Sequence, residues 1–336
     1  MTHRTSRGVV LLVALIALVT ACGGGGGGGS AATGASSGAP AAAGPPEKAD
    51  LTVGVLAIAD LAPFYLAIQD GLFEDEGLTV KPVVATGGAT QLAGMVAGDL
   101  DLAFTNYTSA LQAASKGLPI QIIRENNRGG PQGIYASASS GITEPADLAG
   151  KTIAINSLGN VQELTARAVL DSHGVDPDSV EFVELPPADQ PAGLATGKVD
   201  AAWLIEPFLT QVEQAGSGTR ILSAFEGPTA NMPVAGWTAT QEFVQQNPNT
   251  VAAFVRAMDK AMALATEQPD TIAQILPTYT KIAPELAAQL STPGLSVASD
   301  LSDLGESAKL MVEYGIIEKV PDLDAMVVDS DELPQK

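Results

Sequence analysis

Two polar, glycine-containing stretches of this sequence are suited to binding an anion. Residues 86–90 (TGGAT) and 156–160 (NSLGN) each follow a predicted strand and open a predicted helix. The first backbone N–H groups of a helix have no partner within the helix and carry partial positive charge, so they bind sulfonate, carboxylate or phosphate oxygens. Ordinary N-capping by Thr90 or Ser157 is the alternative explanation. The candidate ligand-binding residues here are Gly87, Gly88, Thr90, Asn156, Ser157, Gly159 and Asn160.

Three other side chains are suited to a ligand group that donates hydrogen bonds. They are Asp60, Glu206 and Tyr107, which can accept hydrogen bonds from an ammonium group or a ring N–H. For Asp60 the alternative is a cap on the helix that contains Phe64. Arg128 is the one cationic side chain that we expect near such a site. The remaining candidates are of two kinds. Phe64, Tyr107 and Trp237 have aromatic rings that can stack on a flat ligand, and Asn106 and Asn127 are amide side chains beside them in the predicted site.

The sequence offers little for catalysis. It contains two histidines, His3 and His173, and one cysteine, Cys22. There is no GxSxG elbow and no P-loop, and the GxGxxG pattern occurs only within a run of glycines. We therefore expect no catalytic residue, no metal site and no cofactor.

The N-terminal segment predicts export and anchoring. Arg4 and Arg7 precede an apolar run from Val9 to Val19, which is too short for a membrane span and typical of a signal peptide. Residues 19–22 (VTAC) resemble the lipobox of bacterial lipoproteins, which implies lipidation at Cys22; a plain secretory signal is the alternative. We predict a signal peptide over residues 1–22 and a disordered Gly/Ala/Ser/Pro tether over residues 23–50. The protein would then be extracytoplasmic, anchored to the outer face of a bacterial cytoplasmic membrane.

The net charge excludes one class of partner. The chain has 17 basic and 38 acidic residues, a formal net charge of −21. Such a surface repels nucleic acid and anionic lipid headgroups, so we expect a soluble monomeric body that binds no nucleic acid.

A sequence motif that occurs twice predicts two similar structural units. QLAGMVAGDLDLAF begins at Gln91, and the similar QPAGLATGKVDAAW begins at Gln190. Each lies in a strand–helix–strand pattern, with strands predicted at 79–84 and 100–105 and again at 180–185 and 199–205. Such units favour parallel strands joined by a right-handed crossover. Within the two copies of the motif, Gly98 and Gly197 are predicted helix C-caps, Asp101 and Asp200 are expected to position turns, and Trp203 is predicted to be core.

The rest of the pattern predicts how two lobes connect. After a strand at 119–124, polar residues 125–131 are interpreted as a crossing between lobes, and residues 226–233 as the return. A strand at 234–240 and helices to about Tyr314 are expected to pack on the first lobe, followed by a solvated acidic tail at 322–332. The predicted fold is α/β, with two similar, mainly parallel lobes at 51–130 plus 234–336 and at 131–233.

Motifs spread along the chain resemble those of substrate-binding lipoproteins of ABC importers in the nitrate, sulfonate and taurine group. That group includes binders of thiamine-pyrimidine precursors. The motifs are the lipobox, LAPFYLA at 61–67, GLF at 71–73, DLAGK at 147–151 and GKVDAA at 197–202 leading to EPF at 206–208. The resemblance implies a type II periplasmic-binding fold with a ligand cleft between two hinged lobes. It also offers lobe closure as an alternative role for Glu206.

The function expected from this resemblance is capture of a small organic solute for a membrane permease and its ATPase. A sulfonate or taurine-like zwitterion is favoured. The alternatives are a thiamine-pyrimidine precursor or flavin-like vitamin, a pyrimidine-forming enzyme of the same fold, and a ligand-sensing partner of a receptor kinase.

Overall fold

The computed structural model describes residues 43–296, 303–329 and 333–335. The predicted signal peptide, Cys22 and the tether as far as residue 42 lie outside the described residues. Residues 43–49, predicted to be disordered tether, are docked on the body. The Glu47 carboxylate accepts hydrogen bonds from the backbone N–H groups of Asn249 (3.1 Å) and Thr250 (2.9 Å), which lie at a helix N-terminus. In the described part of the chain, no helix is long and apolar enough to cross a membrane.

Ten strands of the described residues form two sheets. In chain order the strands are β1 (Asp50–Val55), β2 (Thr79–Val84), β3 (Leu102–Asn106), β4 (Ile120–Arg128), β5 (Gly133–Ser137), β6 (Thr152–Ile155), β7 (Glu181–Glu184), β8 (Ala201–Leu204), β9 (Gly218–Ser223) and β10 (Pro233–Thr240). The sheet orders are β2-β1-β3-β10-β4 and β7-β6-β8-β5-β9. We call the first sheet with its helices the first lobe and the second sheet with its helices the second lobe.

Helices cover these sheets. They are α1 (Ala62–Gln69), α2 (Leu72–Asp75), α3 (Gly88–Ala97), α4 (Tyr107–Ser115), α5 (Val161–Ser172), α6 (Gln190–Ala195), α7 (Phe208–Ala215), α8 (Gln241–Gln246), α9 (Pro248–Glu267), α10 (Asp270–Tyr279), α11 (Pro284–Ala287) and α12 (Leu304–Glu313). As predicted, α9 packs on the first lobe, where it contacts α1, α2 and β4.

The prediction of two α/β lobes with mainly parallel sheets is confirmed: each sheet is mixed, with four of its five strands running the same way and one running against them. In the first sheet β2, β1 and β3 are parallel, and β10 is antiparallel to both of its neighbours. In the second sheet β5 occupies the equivalent antiparallel position. Each of these two strands is the one that the chain enters on arriving from the other lobe, so it runs against the strands of the repeated unit.

The repeated aspartates hold the same position in both lobes. Asp101 Oδ2 accepts a hydrogen bond from the backbone N–H of Thr52, and Asp200 Oδ2 accepts one from Thr152, each at 2.9 Å. Because Thr52 and Thr152 lie in β1 and β6, these bonds join neighbouring strands and do not position a local turn, as the sequence had suggested. Gly98 adopts the left-handed conformation predicted for a helix C-cap.

The first crossing is shorter than predicted. Pairing with β10 continues as far as Arg128, so residues 125–128 belong to β4 and only residues 129–132 cross between the lobes. The ladder passes from Asn127 opposite Ala235 to Glu125 opposite Gly236, which leaves Asn126 as the extra residue of a β-bulge. Polar composition suggested a loop here, but the backbone of β10 supplies the missing partners.

The acidic tail is partly packed and not wholly solvated. Val327 forms a parallel bridge with Ile122 on edge strand β4, and the backbone N–H of Val328 donates to the Ile122 carbonyl at 2.9 Å. Met326 beside them is buried. The segment therefore covers the exposed edge of the first sheet, a common protection against intermolecular strand pairing.

The Asp101 and Asp200 bonds predict matched losses of stability. A carboxylate that accepts a hydrogen bond from a backbone N–H is worth about 1.5–3 kcal/mol, so Asp101→Ala and Asp200→Ala should each lower the free energy of unfolding by an amount of that order. Urea unfolding measures the effect. The exposed Asp99→Ala is the control, and losses no larger than the control's would contradict the role of both aspartates.

Candidate ligand-binding site

The two lobes meet at the carboxyl ends of their parallel strands. The backbone N–H of Ala59, which follows β1, donates to the carbonyl of Glu206, which follows β8, at 3.2 Å. A Cβ atom at Gly87, after β2, would lie 3.3 Å from Asn156 Nδ2 of the second lobe. The rim segments predicted to enclose a ligand are thus brought together.

Asp60 lies at the centre of this junction. Its side chain is buried and accepts a hydrogen bond from Asn127 Nδ2 (3.2 Å), while its carbonyl accepts one from Asn126 Nδ2 (3.0 Å). The interpretation of Asp60 as a helix cap is wrong, because Leu61 occupies the N-cap position of α1 and no side chain caps that helix. Burial, and secondarily the nearby charge of Glu206, raises the pKa of Asp60 to about 7.

Glu206 links the lobes. Its Oε1 accepts hydrogen bonds at 2.8 Å from the Thr210 hydroxyl of its own lobe and from the backbone N–H of Ser291 in the first lobe. Burial raises the pKa of the Glu206 carboxyl, although these donors oppose the shift. The contacts support the closure role over direct ligand binding, since the carboxylate is already occupied by protein donors.

The two predicted anion cradles differ. At the N-terminus of α3 no side chain caps the free backbone N–H groups; Gly87 and Gly88 are buried there and Thr90 is exposed. At α5 the cap is Asn160, whose Oδ1 accepts from Gln162 and Glu163, and not Ser157. Carboxylates already hold the preceding backbone: Leu158 N–H donates to Glu184 (2.8 Å) and Gly159 N–H to Glu163 (2.7 Å). Only the α3 cradle is open to an anion from outside.

One hydroxyl at this junction lacks a partner. Ser157 Oγ, which faces Gly87 of the first lobe, is buried and has no hydrogen-bond partner among the described residues. The Tyr107 hydroxyl also has none there, but it lies against Gly236 inside the first lobe, so the assignment of Tyr107 to the ligand contact is not supported. Asn106 caps α4 by accepting from the Ser109 N–H at 2.8 Å. A ligand or water that supplied a partner to Ser157 would offset the cost of burying its hydroxyl.

Two predicted aromatic contacts lie in the core of the first lobe. Phe64 and Trp237 are fully buried with ring centroids 5.1 Å apart, and Trp237 also packs on Phe104 and Phe254. Their rings are surrounded by other rings, so their assignment to a stacking surface is not supported. Trp203 is a core residue, as predicted, with its indole N–H bonded to Thr165.

Arg128 is not a free cation. Its guanidinium binds Glu125 through two hydrogen bonds (2.6 and 3.1 Å) and Asp303 through a third (2.8 Å). Burial alone would lower the pKa of the Arg128 guanidinium, but the hydrogen bonds to Glu125 and Asp303 raise it above its ordinary value. Since the Glu125 side chain is fully buried, Arg128 neutralises a buried charge, and its loss would leave that charge unpaired.

Asn126, expected from the sequence to contribute to the cleft together with Asn127 and Arg128, does contact Asp60. Sequence reasoning did not identify two other contributors to the junction. One is Gln112, which faces Gly159 from the middle of α4. Ser291 contributes only a backbone N–H, from a segment far from Glu206 in sequence. No side-chain pattern could reveal that contact.

Comparison with known proteins finds similar proteins that are named for binding sulfonates or taurine. A putative aliphatic sulfonates-binding protein of Bacillus subtilis is 26% identical over 221 residues, 64% of this chain and 65% of that protein. The taurine-binding periplasmic protein of Escherichia coli is 24% identical over 229 residues, 67% of this chain and 69% of that protein. The alkanesulfonate-binding protein of Xanthomonas axonopodis pv. citri, solved with bound MOPS, shares the fold with a TM-score of 0.74 at 20% identity, covering 84% of this chain and 99% of that one.

The match to the first of these relatives spans slightly less than two thirds of that protein's length. A sequence model of the family described as NMT1/THI5 like matches residues 58–272, well over half of the chain. This chain belongs to the NMT1/THI5-like family.

Proposed function

We propose that the protein is the solute-binding component of an ABC importer. It captures a small organic ligand between its lobes without changing it chemically and presents the closed form to a permease and its ATPase. A sulfonate or a taurine-like zwitterion is the favoured ligand, and a thiamine-pyrimidine precursor is the second candidate. The relatives named for aliphatic sulfonates and for taurine support this choice.

One observation carries the proposal. Polar groups from both lobes are buried at the strand ends, and some of them, such as Ser157 Oγ of the second lobe and Asn127 Oδ1 of the first, have no partner among the described residues. A ligand that bridged both rims would bind the closed form better than the open form. That difference in affinity is what drives closure.

The open end of α3 supplies the anion-binding part. The free backbone N–H groups after Gly87 can donate to sulfonate oxygens, and the Ser157 hydroxyl faces them from the second lobe, 3.7 Å from where a Cβ at position 87 would lie. Micromolar affinity requires about 8 kcal/mol, which a few charge-assisted hydrogen bonds in a closed cleft can supply.

Ligand binding should close the lobes measurably. The described residues from 43 onward form one compact unit. A chain that begins there is suitable for small-angle scattering alongside calorimetric titration with taurine, alkanesulfonates, nitrate and 4-amino-5-hydroxymethyl-2-methylpyrimidine. We expect at least one micromolar ligand that reduces the radius of gyration. Binding without compaction would contradict the closure mechanism, and the absence of any bound solute would contradict the function.

A methyl group at position 87 should weaken binding. Gly87 has extended backbone angles (φ −177°) that any residue can adopt, but a Cβ there would lie within contact distance of Asn156 and Ser157. Gly87→Ala should therefore raise the dissociation constant about tenfold or more while shifting the unfolding midpoint little. The exposed Val96→Ala, at the opposite end of α3, is the control. An unchanged affinity in Gly87→Ala would exclude this rim from the ligand contact.

Lipid anchoring at Cys22 forms part of the same proposal. In a bacterial host the wild-type chain should fractionate with membranes and its N-terminal peptide should carry the added acyl mass. Cys22→Ser should release the protein from the membrane without changing ligand affinity. A wild-type chain found only in the soluble fraction would favour the plain secretory signal.

A further inference from the structure

Asn126 and Asn127 both direct their amide N–H groups at Asp60. Their acceptors are the Asp60 carbonyl (3.0 Å) and Asp60 Oδ2 (3.2 Å). Since neither oxygen of this pair can donate when Asp60 is ionised, the orientation of both amides is fixed by their partners. The Oδ1 atoms of both asparagines are left buried, without a hydrogen-bond partner among the described residues.

The β-bulge makes this arrangement possible. Adjacent residues of a regular strand point to opposite faces of the sheet, so Asn126 and Asn127 could not both reach Asp60 from an unbroken ladder. The extra residue at Asn126 turns two successive amides to the same neighbour. We call Asp60, Asn126 and Asn127 the acceptor cluster.

No cation of the described residues neutralises this cluster. Arg128 is bound by Glu125 and Asp303, and Arg124 by Asp259 at 2.7 Å. The charge that acts on the Asp60 carboxyl is that of another carboxylate, Glu206. The cluster thus combines negative charge with two unpartnered acceptors, the Oδ1 atoms of Asn126 and Asn127.

We propose that the acceptor cluster binds a nitrogen of the ligand that carries N–H donors, namely an ammonium group or an exocyclic amine. Such a group supplies N–H donors to the unpartnered Oδ1 atoms of Asn126 and Asn127 and positive charge beside Asp60. This inference rests on the proposed function and narrows it. Among solutes that fit the cleft, the protein selects those with an amine and discriminates against nitrate and simple alkanesulfonates.

Matched ligand pairs test this selectivity in the purified full-length protein. Taurine and isethionate share the sulfonate and differ only by an ammonium in place of a hydroxyl. 4-Amino-5-hydroxymethyl-2-methylpyrimidine and its 4-methyl analogue differ only at the amine. Titration at pH 8 keeps Asp60 ionised, above the pKa of about 7 to which burial raises it. We expect the amine-bearing member of whichever pair binds to be at least tenfold tighter.

The Asp60→Asn variant tests whether the preference for an amine depends on the acceptor cluster. The substitution removes the carboxylate charge and adds an N–H donor, so the ratio of the dissociation constants of the two ligands in a matched pair should fall below about threefold. Because it removes a buried charge without a cationic partner, the unfolding midpoint at pH 8 should not decrease. Asp70→Asn, at an exposed carboxylate just after α1, should leave both the ratio and the midpoint unchanged.

The outcomes separate the two proposals. Equal affinity within a pair that binds, tighter binding of nitrate or ethanesulfonate than of taurine, or an unchanged ratio in Asp60→Asn would overturn the amine inference and leave the solute-binding function standing. Failure of every compound to bind would overturn the solute-binding proposal itself and the amine inference with it.

Discussion

The direction of the parallel strands is the constraint on which the site depends. In each lobe four of the five strands run the same way. The carboxyl ends of the three that are adjacent, and the helix N-termini that follow them, lie at one edge of the sheet. Two crossings, at residues 129–132 and 224–232, join the lobes beside these edges. The contacts from Ala59 and Ser291 to Glu206 then bring the edges together. No individual binding residue needs to be near another in sequence, because this geometry collects them.

The treatment of buried charge separates structural carboxylates from the two at the junction. Glu125 is paired with Arg128, and Glu76 with Arg256 and Lys260. A buried carboxylate without such a partner is costly, and ordinarily its pKa rises until it is neutral near physiological pH. Asp60 and Glu206 are both in this situation: an amide binds the Asp60 carboxylate, the Thr210 hydroxyl and the Ser291 N–H bind that of Glu206, and burial raises the pKa of both. These two acids without a cationic partner among the described residues lie together at the lobe junction, where packing alone does not require a carboxylate.

The repeated scaffold could be predicted from the sequence because the repeated residues have roles in backbone geometry. Glycines that end helices and aspartates that bond to the neighbouring strand recur in both units, and the two copies of the motif lie in different lobes, as predicted. Reasoning from composition failed where a distant strand decides the outcome. The polar residues 125–128 look like a loop until β10 pairs with them, and Phe64 and Trp237 look available for stacking until the helices of the first lobe enclose them. Arg128 was misjudged for the same reason, since Asp303, remote in sequence, completes its pairing.

The two lobes share their scaffold and differ at the rims. Asp101 and Asp200 make the same bond, yet α3 begins without a side-chain cap whereas α5 begins with Asn160 as its cap, and Glu163 and Glu184 hold the preceding N–H groups. A cradle already filled by carboxylates cannot accept an anion without displacing one of them from the backbone, so the proposed anion site lies in the first lobe. The amide-held Asp60 lies in that lobe as well. In the proposed mechanism the second lobe contributes the closing surface, through Glu206 and Ser157, and the proposed solute contacts are divided unequally between two similar lobes.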